Sequence, residues 1–487
     1  MIRNKIYEDD IFYSILKPIV DYCTRHSYRK IEVRGKENIP TDGAILLAPN
    51  HTNTLMDALV VLQAHKKQTV FGARADMFKK PIIAKAMYFF RILPMVRQRD
   101  GLRNVLKNHE SFETIVEILE HDVRFCMYPE GRHRAAHSLL PLGKGILRAA
   151  VAADHKFGDQ KPIYIVPVGI EYGDYFTYRS TCLITYGKAI NVTEFIKGLD
   201  VENEAQVMEP LRKELAKGMT GLISYIKDDE NLYKKWSLTR ILTCKLGKRD
   251  LAGRLADNQT VIAQIERVAE ENPEQMQELL DKAAGFDKKI EKENICLDSF
   301  KSKSLLCNAV WKSLAAIAGL PYYLFSLVAA FPMWLLAAFI KKGLKDKAFG
   351  NTVNLGVKLG ATITYLPILA LVLFLTLPWY IALGLIVAII PTYSYFYDYH
   401  KFVKGLISDF RLMGCKKLRK EFKDIDKGML PMCYPADHRN HNYIPNWAMW
   451  FVLELEEYLE RTGDRAMVEQ ARARVYDLVE FFRPYLN

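Results

Sequence analysis

Two long stretches without charged residues constrain the fold of this chain more than any other feature of its sequence. Residues 313–340 and residues 359–397 contain no Asp, Glu, Lys or Arg. A membrane-embedded helix needs about 20 predominantly apolar residues. We therefore expect both stretches to be embedded in a membrane, because they are too long for ordinary buried helices of a soluble protein.

The segment that connects the two stretches bears on their topology. From Lys341 to Lys358 it contains five lysines and one acidic residue, Asp346. The positive-inside rule keeps such a basic segment on the cytoplasmic side. A single crossing by the first stretch would place this segment on the opposite side from the N-terminal region, which conflicts with that rule.

Each apolar stretch has a proline near its middle, Pro321 in the first and Pro378 in the second. Proline interrupts a helix because it lacks a backbone N–H and its ring clashes with the preceding turn. We therefore interpret the stretches as two membrane-embedded helical hairpins, residues 305–340 and 359–397, with all soluble parts on the cytoplasmic face. Two single crossings are the alternative.

The remaining sequence has the composition of folded domains. The chain has 487 residues, of which half are hydrophobic and a quarter charged, and this composition excludes wholesale disorder. The net charge of +12 suits an anionic membrane surface. Because the positive charge is dispersed and no nucleic-acid-binding motif accompanies it, we expect no nucleic acid partner. The eight cysteines form no C-x-x-C pair, which suits a reducing compartment.

Short β-like runs alternate with helical runs in the N-terminal half, which predicts an α/β domain with a mixed sheet flanked by helices. The β-like runs are residues 31–35, 44–49, 69–73, 124–129, 163–170 and 182–187. The whole chain divides into an amphipathic N-terminal helix (1–30), the α/β domain (31–225), a helical region (226–302), the membrane-embedded helices (303–400), and a basic helical segment with a C-terminal helical pair (401–487).

The first candidate site is the segment NHTNTLMD, which follows a strand and opens a helix. His51 in the turn could act as a general base that Asp57 orients, so that it takes a proton from a hydroxyl group. The alternative is a helix cap, in which Thr54 and Asp57 bind backbone N–H groups and His51 is an ordinary turn residue.

Three further segments contribute candidate residues. In YPEGRHR, Glu130, Gly131 and Arg132 lie just after a strand, and arginine pairs well with phosphate, although an ordinary solvated turn is the alternative. Arg97 in ILPMVRQRDG is either a phosphate ligand or part of a solvated basic edge. The fourth segment, IVPVGI, reads as a buried strand whose Gly169 permits close approach of another backbone or of an acyl chain.

Together and in this order, the four segments resemble the motifs of the glycerolipid acyltransferase superfamily, typified by 1-acyl-glycerol-3-phosphate acyltransferase. The resemblance implies that His51 is the catalytic base, that Asp57 is its partner, and that the glycerol-phosphate pocket holds the residues Arg97, Glu130, Gly131 and Arg132. It further implies that the strand around Gly169 lies near the acyl donor. Five residues separate His51 from Asp57, where the family usually has four, and this longer spacing leaves the choice of acceptor open.

The function implied by the resemblance is a membrane-bound enzyme that transfers a fatty acyl group from acyl-CoA or acyl carrier protein to 1-acyl-glycerol-3-phosphate. The product would be phosphatidic acid, and no cofactor or metal would be needed. Glycerol-3-phosphate is the alternative acceptor. A non-catalytic membrane scaffold that binds lipids is the alternative from another class of protein.

The last 45 residues, 443–487, show the pattern of two helices broken at Gly463 and Asp464. This segment resembles a fragment of an (α/α)6-barrel glycoside hydrolase. It is far too short to build that barrel, so we expect no glycosidase activity from it.

Overall fold

The computed structural model describes residues 5–428, except residues 66, 96–104, 200–203, 245, 247–249, 303 and 345, and the side chains of residues 105–110, 204 and 205. The predicted C-terminal helical pair therefore lies outside the described residues. The described chain contains an α/β unit, a helical unit and a group of apolar helices.

The α/β unit is built on a mixed sheet of eight described strands. They are β1 (Lys30–Arg34), β2 (Ala44–Pro49), β3 (Thr69–Arg74), β4 (Ile92–Met95), β5 (Arg124–Cys126), β6 (Ile163–Tyr172), β7 (Thr181–Tyr186) and β8 (Ile190–Asn191). The strand order is β1-β7-β6-β2-β5-β3-β4, and β8 pairs with β6. Only the pairs β6–β7 and β6–β8 are antiparallel. All six predicted strands are present, whereas the short strands β4 and β8 were not predicted.

Helices cover both faces of this sheet. They are α1 (Ile11–Arg25), α2 (Leu55–Ala64), α3 (Pro81–Phe89), α4 (Val105–Glu120), α5 (Gly145–Phe157), α6 (Val192–Lys197) and α7 (Glu204–Thr220). Alternate residues of β2 enter different cores: Leu46 packs among the residues of α4, α5 and α7, whereas Leu47 packs with residues of α1 and α2. This alternation is the period-two pattern of a strand that is buried on both faces.

The helical unit comprises α8 (Leu232–Thr243), α9 (Leu251–Glu271) and α10 (Pro273–Lys292). Its apolar core also includes side chains of two later helices, α15 (Thr392–Gly414) and α16 (Lys416–Gly428). Segments on both sides of the apolar stretches in the sequence therefore pack into the same unit. This unit contacts the sheet directly, since Arg34 Nη2 lies 2.7 Å from Asp250 Oδ2.

The first apolar stretch forms one helix, α11 (Leu305–Lys342), which continues through Pro321 and Pro332. The predicted hairpin over residues 305–340 is therefore not formed. Helix α11 packs along α15, and Tyr395 and Tyr399 of α15 donate hydrogen bonds to backbone carbonyls of α11.

The second apolar stretch is broken into shorter helices. It comprises the end of α12 (Gly350–Ile363), then α13 (Tyr365–Thr376), α14 (Trp379–Ile389) and the start of α15. The break between α13 and α14 falls at Pro378, as predicted. At 1.5 Å per residue, α13 and α14 are each shorter than about 20 Å, whereas the apolar layer of a bilayer measures about 30 Å. The two helices are consecutive and contact each other.

By length and composition, two described segments could cross a membrane, Leu305–Lys342 and Lys347–Thr376, and the bent pair α14–α15 would be a third if it formed one span. The second segment includes α12, which packs against α1 and α2 of the α/β unit. Leu355 of α12 is buried in the same core as Leu47 of β2. The apolar helices are thus joined to the α/β unit through a shared hydrophobic core.

Candidate active site

The turn after β2 carries the first candidate residues and is fixed to the neighbouring strand β6. Asn50 is buried, and its side chain both accepts a hydrogen bond from the Ile170 N–H (2.6 Å) and donates one to the Ile170 carbonyl (3.0 Å). This double contact continues the pairing of the two strands beyond the last backbone pair of β2. His51 therefore leaves the sheet edge from a rigid position.

His51 and Asp57 form a hydrogen-bonded pair. Nδ1 of His51 lies 2.8 Å from Oδ2 of Asp57, which also accepts hydrogen bonds from the backbone N–H groups of Thr52 (2.8 Å) and Asn53 (2.7 Å). A carboxylate oxygen that accepts these bonds requires Nδ1 of His51 to be the donor, which leaves Nε2 as the proton acceptor. The Asp57 side chain is fully buried, while 18% of the His51 side chain remains exposed. The imidazole can thus be reached from outside.

The structure shows only one of the two contacts that the helix-cap alternative predicts. Asp57 does bind two backbone N–H groups before α2, but Thr54 makes no side-chain cap. Thr54 has φ 50° and ψ −128°, and its hydroxyl group lies 3.3 Å from that of Thr352 in α12. A positive φ is unfavourable for a β-branched residue, and such strain is found where surrounding contacts fix a functional turn.

Tyr172 at the end of β6 holds the second oxygen of Asp57. Its hydroxyl group donates a hydrogen bond of 2.8 Å to Oδ1 of Asp57. Burial raises the pKa of Tyr172 well above its ordinary value, and the charge of Asp57 adds to this effect, so the hydroxyl remains a donor. Tyr172 is not among the residues predicted from the sequence. The two residues are 115 positions apart, and no local motif connects them.

Glu130 lies beside His51 and binds backbone groups with both carboxylate oxygens. Oε1 accepts the N–H of His51 (2.7 Å), and Oε2 accepts the N–H of Leu140 (2.9 Å). Burial raises the pKa of the Glu130 carboxyl, whereas these two N–H donors act in the opposite direction. The carboxylate joins the turn after β5 to the turn after β2.

The other residues of the YPEGRHR segment surround the imidazole. The ring of Tyr128 stacks on that of His51 with a centroid distance of 4.3 Å. Gly131 has φ 64°, and no atom lies within 4 Å of the position that a Cβ would occupy, so this side of the turn is open. Arg132 is exposed and has no hydrogen-bond or ion-pair partner within the described part of the chain. It is therefore available to an anionic ligand.

The next two residues of the segment bind acidic side chains from distant parts of the chain. His133 Nε2 lies 2.9 Å from Asp346 Oδ2, and Arg134 Nη1 lies 2.9 Å from Asp228 Oδ2. The edge of the His133 ring also faces Phe349. The connection between α11 and α12 thus covers one side of the candidate site.

Two candidate features remain. Arg97 lies outside the described residues. Gly169, expected to permit a close approach, lies where a Cβ would come within 2.3 Å of the backbone oxygen of Leu222. The close neighbour of this strand is therefore another backbone, which was one of the two predicted reasons for the glycine.

Among the described residues, no cluster of three or more His, Cys, Asp or Glu side chains could hold a metal ion.

Comparison with known proteins gives a family for this part of the chain. A family model described as "Acyltransferase" matches residues 30–171. Among solved structures, the chain is similar to the 1-acyl-sn-glycerophosphate (LPA) acyltransferase PlsC from Thermotoga maritima, with 19% identity over 43% of this chain and 77% of that one and a TM-score of 0.31. No curated protein matches the chain. The resemblance predicted from the four motifs is confirmed by the family model, and residues 30–171 form a domain of the acyltransferase family.

Proposed function

We propose that this protein is a membrane-bound O-acyltransferase that converts 1-acyl-glycerol-3-phosphate to phosphatidic acid. The acyl donor is a thioester, acyl-CoA or acyl carrier protein. The observation that carries the proposal is the His51–Asp57 pair, with Asp57 buried and the imidazole accessible. The bonds of Asp57 to backbone N–H groups would also serve a non-catalytic fold, but they do not account for an accessible imidazole oriented by that carboxylate.

The reaction proceeds by direct acyl transfer. Nε2 of His51 removes the proton from the acceptor hydroxyl, and the oxygen attacks the carbonyl carbon of the thioester. The C–S bond then breaks, and the imidazolium returns the proton to the leaving thiolate. Asp57 stabilises the imidazolium, and the hydrogen bond from Tyr172 fixes the orientation of Asp57. Arg132, together with Arg97, binds the phosphate of the acceptor and orients its hydroxyl group.

The geometry of α11 supports a location of all soluble parts on one face of the membrane, which we propose is the cytoplasmic face. Near the start of α11, Lys312 pairs with buried Asp409 (2.6 Å), which belongs to the helical unit. After its end, Asp346 contacts His133 of the α/β unit. The two units touch each other directly, which supports a placement with both ends of this helix on the same side of the bilayer. In this placement α11 lies along the protein with its exposed apolar face towards lipid.

The test is acyl transfer by the purified full-length protein in vesicles, with wild type compared with His51→Ala. Labelled acyl-CoA and acyl carrier protein are each offered with lysophosphatidic acid and with glycerol-3-phosphate. We expect transfer to lysophosphatidic acid, reduced in the variant by about 10²–10⁴-fold, the usual contribution of a general base. His155→Ala, an exposed histidine of α5, is the matched control and should retain full activity.

The outcomes separate the candidate functions. Transfer to glycerol-3-phosphate alone would replace the proposed acceptor. Equal activity of wild type and His51→Ala would contradict the proposed base. No transfer with either acceptor and either donor would contradict the enzyme and favour a lipid-binding scaffold.

A further inference from the structure

An apolar groove runs between the C-terminal part of α11 and α12. Its volume is about 440 Å³, within the usual range of ligand pockets. It is lined by Met333, Leu336 and Ile340 of α11 and by Val353, Gly356 and Gly360 of α12, among others. The side chains that line it in the described structure carry no charge. Such a surface suits a hydrocarbon chain better than a polar ligand.

Two glycines leave the α12 side of the groove open. Gly356 and Gly360 are four residues apart and therefore lie on the same face of the helix. No atom lies within 4 Å of the position that a Cβ would occupy at either residue. Glycine is otherwise unfavourable inside a helix, by about 1 kcal/mol relative to alanine. Any larger side chain here would project into the groove.

One end of the groove lies at Val353, in the first turn of α12. Val353, which lines it, directly follows Thr352, whose hydroxyl group contacts that of Thr54 at the start of α2. In the same turn of α12, Asn351 Nδ2 donates to the carbonyl of Tyr175 (3.0 Å), and Asn53 donates to that same carbonyl (3.1 Å). The first turn of α12 is thus bonded to the turn that carries His51 and Asp57.

The other end of the groove opens towards the surface expected to face lipid. Tyr365, the first residue of α13, lines it there. The side chains that follow are exposed and apolar, with Ile368 exposed to 63% and Leu371 to 60%. On the α11 side, Leu336 is also half exposed. The groove therefore extends from the apolar surface of the molecule to the turn of α12 that is bonded to the His51 turn.

We propose that this groove binds the acyl chain of the lipid acceptor. The inference rests on the proposed function and makes it more specific, since glycerol-3-phosphate has no chain to place there. We assign the acceptor rather than the donor because a lysophospholipid already has its chain in the bilayer, on which the groove opens. The acyl chain of the acceptor would lie between α11 and α12. Its glycerol-phosphate group would extend from the Val353 end of the groove towards the His51 turn.

The test uses substitutions that narrow the groove and lie outside the candidate active site. Gly356→Leu and Gly360→Leu each add a side chain where the protein has free space, and leucine favours the helix. Transfer is measured with short- and long-chain lysophosphatidic acids at a fixed donor, then with donors of different chain lengths at a fixed acceptor. We expect kcat/KM for long-chain acceptors to fall about tenfold or more, since each displaced methylene group costs about fourfold. We expect kcat/KM for short-chain acceptors to change less than about twofold, within the scatter of surface substitutions. The preference among donors should also change less than about twofold.

Gly384→Leu is the matched control. Gly384 lies in α14, has the same free space around its Cβ position, and does not line the groove. It should leave the preference for acceptor chain length unchanged. An active wild type whose two groove variants keep its acceptor preference would overturn the inference, and so would a change in the donor preference alone.

A binding measurement tests the inference without relying on enzyme activity. Lysophosphatidic acid with a photoreactive group near the end of its chain is cross-linked to the full-length His51→Ala variant in vesicles, and the labelled peptides are identified. Labels on α11 and α12 that Gly360→Leu removes would support the groove, and their absence would overturn it. A groove variant that changes only the oligomeric state would show that a second copy of the chain occupies the groove, which also overturns the inference.

Discussion

The imidazole of His133 is joined to the carboxylate of Asp346 by a contact of 2.9 Å that spans 213 residues of sequence. His133 belongs to the turn that carries Glu130, and Asp346 lies in the connection between α11 and α12. The contact therefore ties the candidate site to the apolar helices. It also gives His133 a structural role at this position of the motif.

The His133–Asp346 contact should stabilise the fold in a pH-dependent way. The hydrogen bond from His133, together with the Ala348 N–H, lowers the pKa of Asp346. A lowered carboxyl pKa gives stability that is present above the ordinary carboxyl range and is lost as the pH falls through the folded-state pKa. Asp346→Asn should therefore lower the thermal midpoint at pH 6–7 by an amount equivalent to less than about 1 kcal/mol, because the pair is partly exposed.

This difference between wild type and Asp346→Asn should shrink as the pH falls below about 4, where the carboxyl of the unfolded chain becomes protonated, and should disappear below the lowered folded-state pKa. Thermal unfolding of the two proteins across this pH range measures it. A difference that grew as the pH fell below about 4 would contradict the assigned contact.

Tyr172→Phe tests whether the tyrosine acts through Asp57. The variant leaves Oδ1 of a buried carboxylate without its donor, which should cost about 1–3 kcal/mol in the free energy of unfolding. We also expect kcat to fall about tenfold with a small change in KM, because Tyr172 positions the pair and does not touch the substrate.

Tyr186→Phe is the control for this prediction. The Tyr186 hydroxyl group is buried, with no hydrogen-bond partner within the described residues, so its removal should be nearly neutral. Equal effects of the two substitutions would show that the Tyr172 hydroxyl has no special role.

Glu130 and Arg132 should differ in their kinetic effects. Glu130 uses both carboxylate oxygens on backbone N–H groups, so Glu130→Gln replaces one acceptor with a donor and displaces the His51 turn. We expect kcat to fall about 10²-fold, as is usual when a catalytic group is misplaced. Arg132→Gln should mainly raise KM for the phosphate-bearing acceptor, by about tenfold. The reverse pattern in steady-state kinetics would mean that Glu130 contacts the acceptor directly.

The arrangement of α11 predicts that its two ends are accessible from the same side of a membrane. Single cysteines placed at Lys301 and Lys347, in a background without other cysteines, should both react with a membrane-impermeant maleimide added to sealed vesicles of one orientation. Reaction at one site only, with the second site appearing after permeabilisation, would indicate a crossing.

Much of the site could be predicted because its main residues belong to short motifs. His51 and Asp57 are six residues apart at a strand-to-helix turn, and Glu130 follows a neighbouring parallel strand, whose end must lie at the same sheet edge. Tyr172 and Asp346 could not be predicted in this way, because they reach the site through tertiary packing from segments with no motif of their own.

In the apolar helices, the sequence alone did not reveal which prolines break a helix. Pro378 breaks the second stretch, where the two short helices have few buried side chains, whereas Pro321 lies inside a helix held along its length by α15. Lys358 shows a similar limit. Counted as a basic residue of a connecting segment, it is buried in α12, where its Nζ binds Ser394 (3.1 Å). Packing, which the sequence pattern does not reveal, decided both cases.

The shared core of α12 and the α/β unit makes the two halves of the polypeptide inseparable. Leu355 fills a space beside α1 and α2 that no residue of the N-terminal half occupies. A chain shortened to end before α11 would expose that space to water and would tend to aggregate even though all its motifs were intact. We therefore expect that the α/β unit needs the chain up to the end of α12 in order to fold.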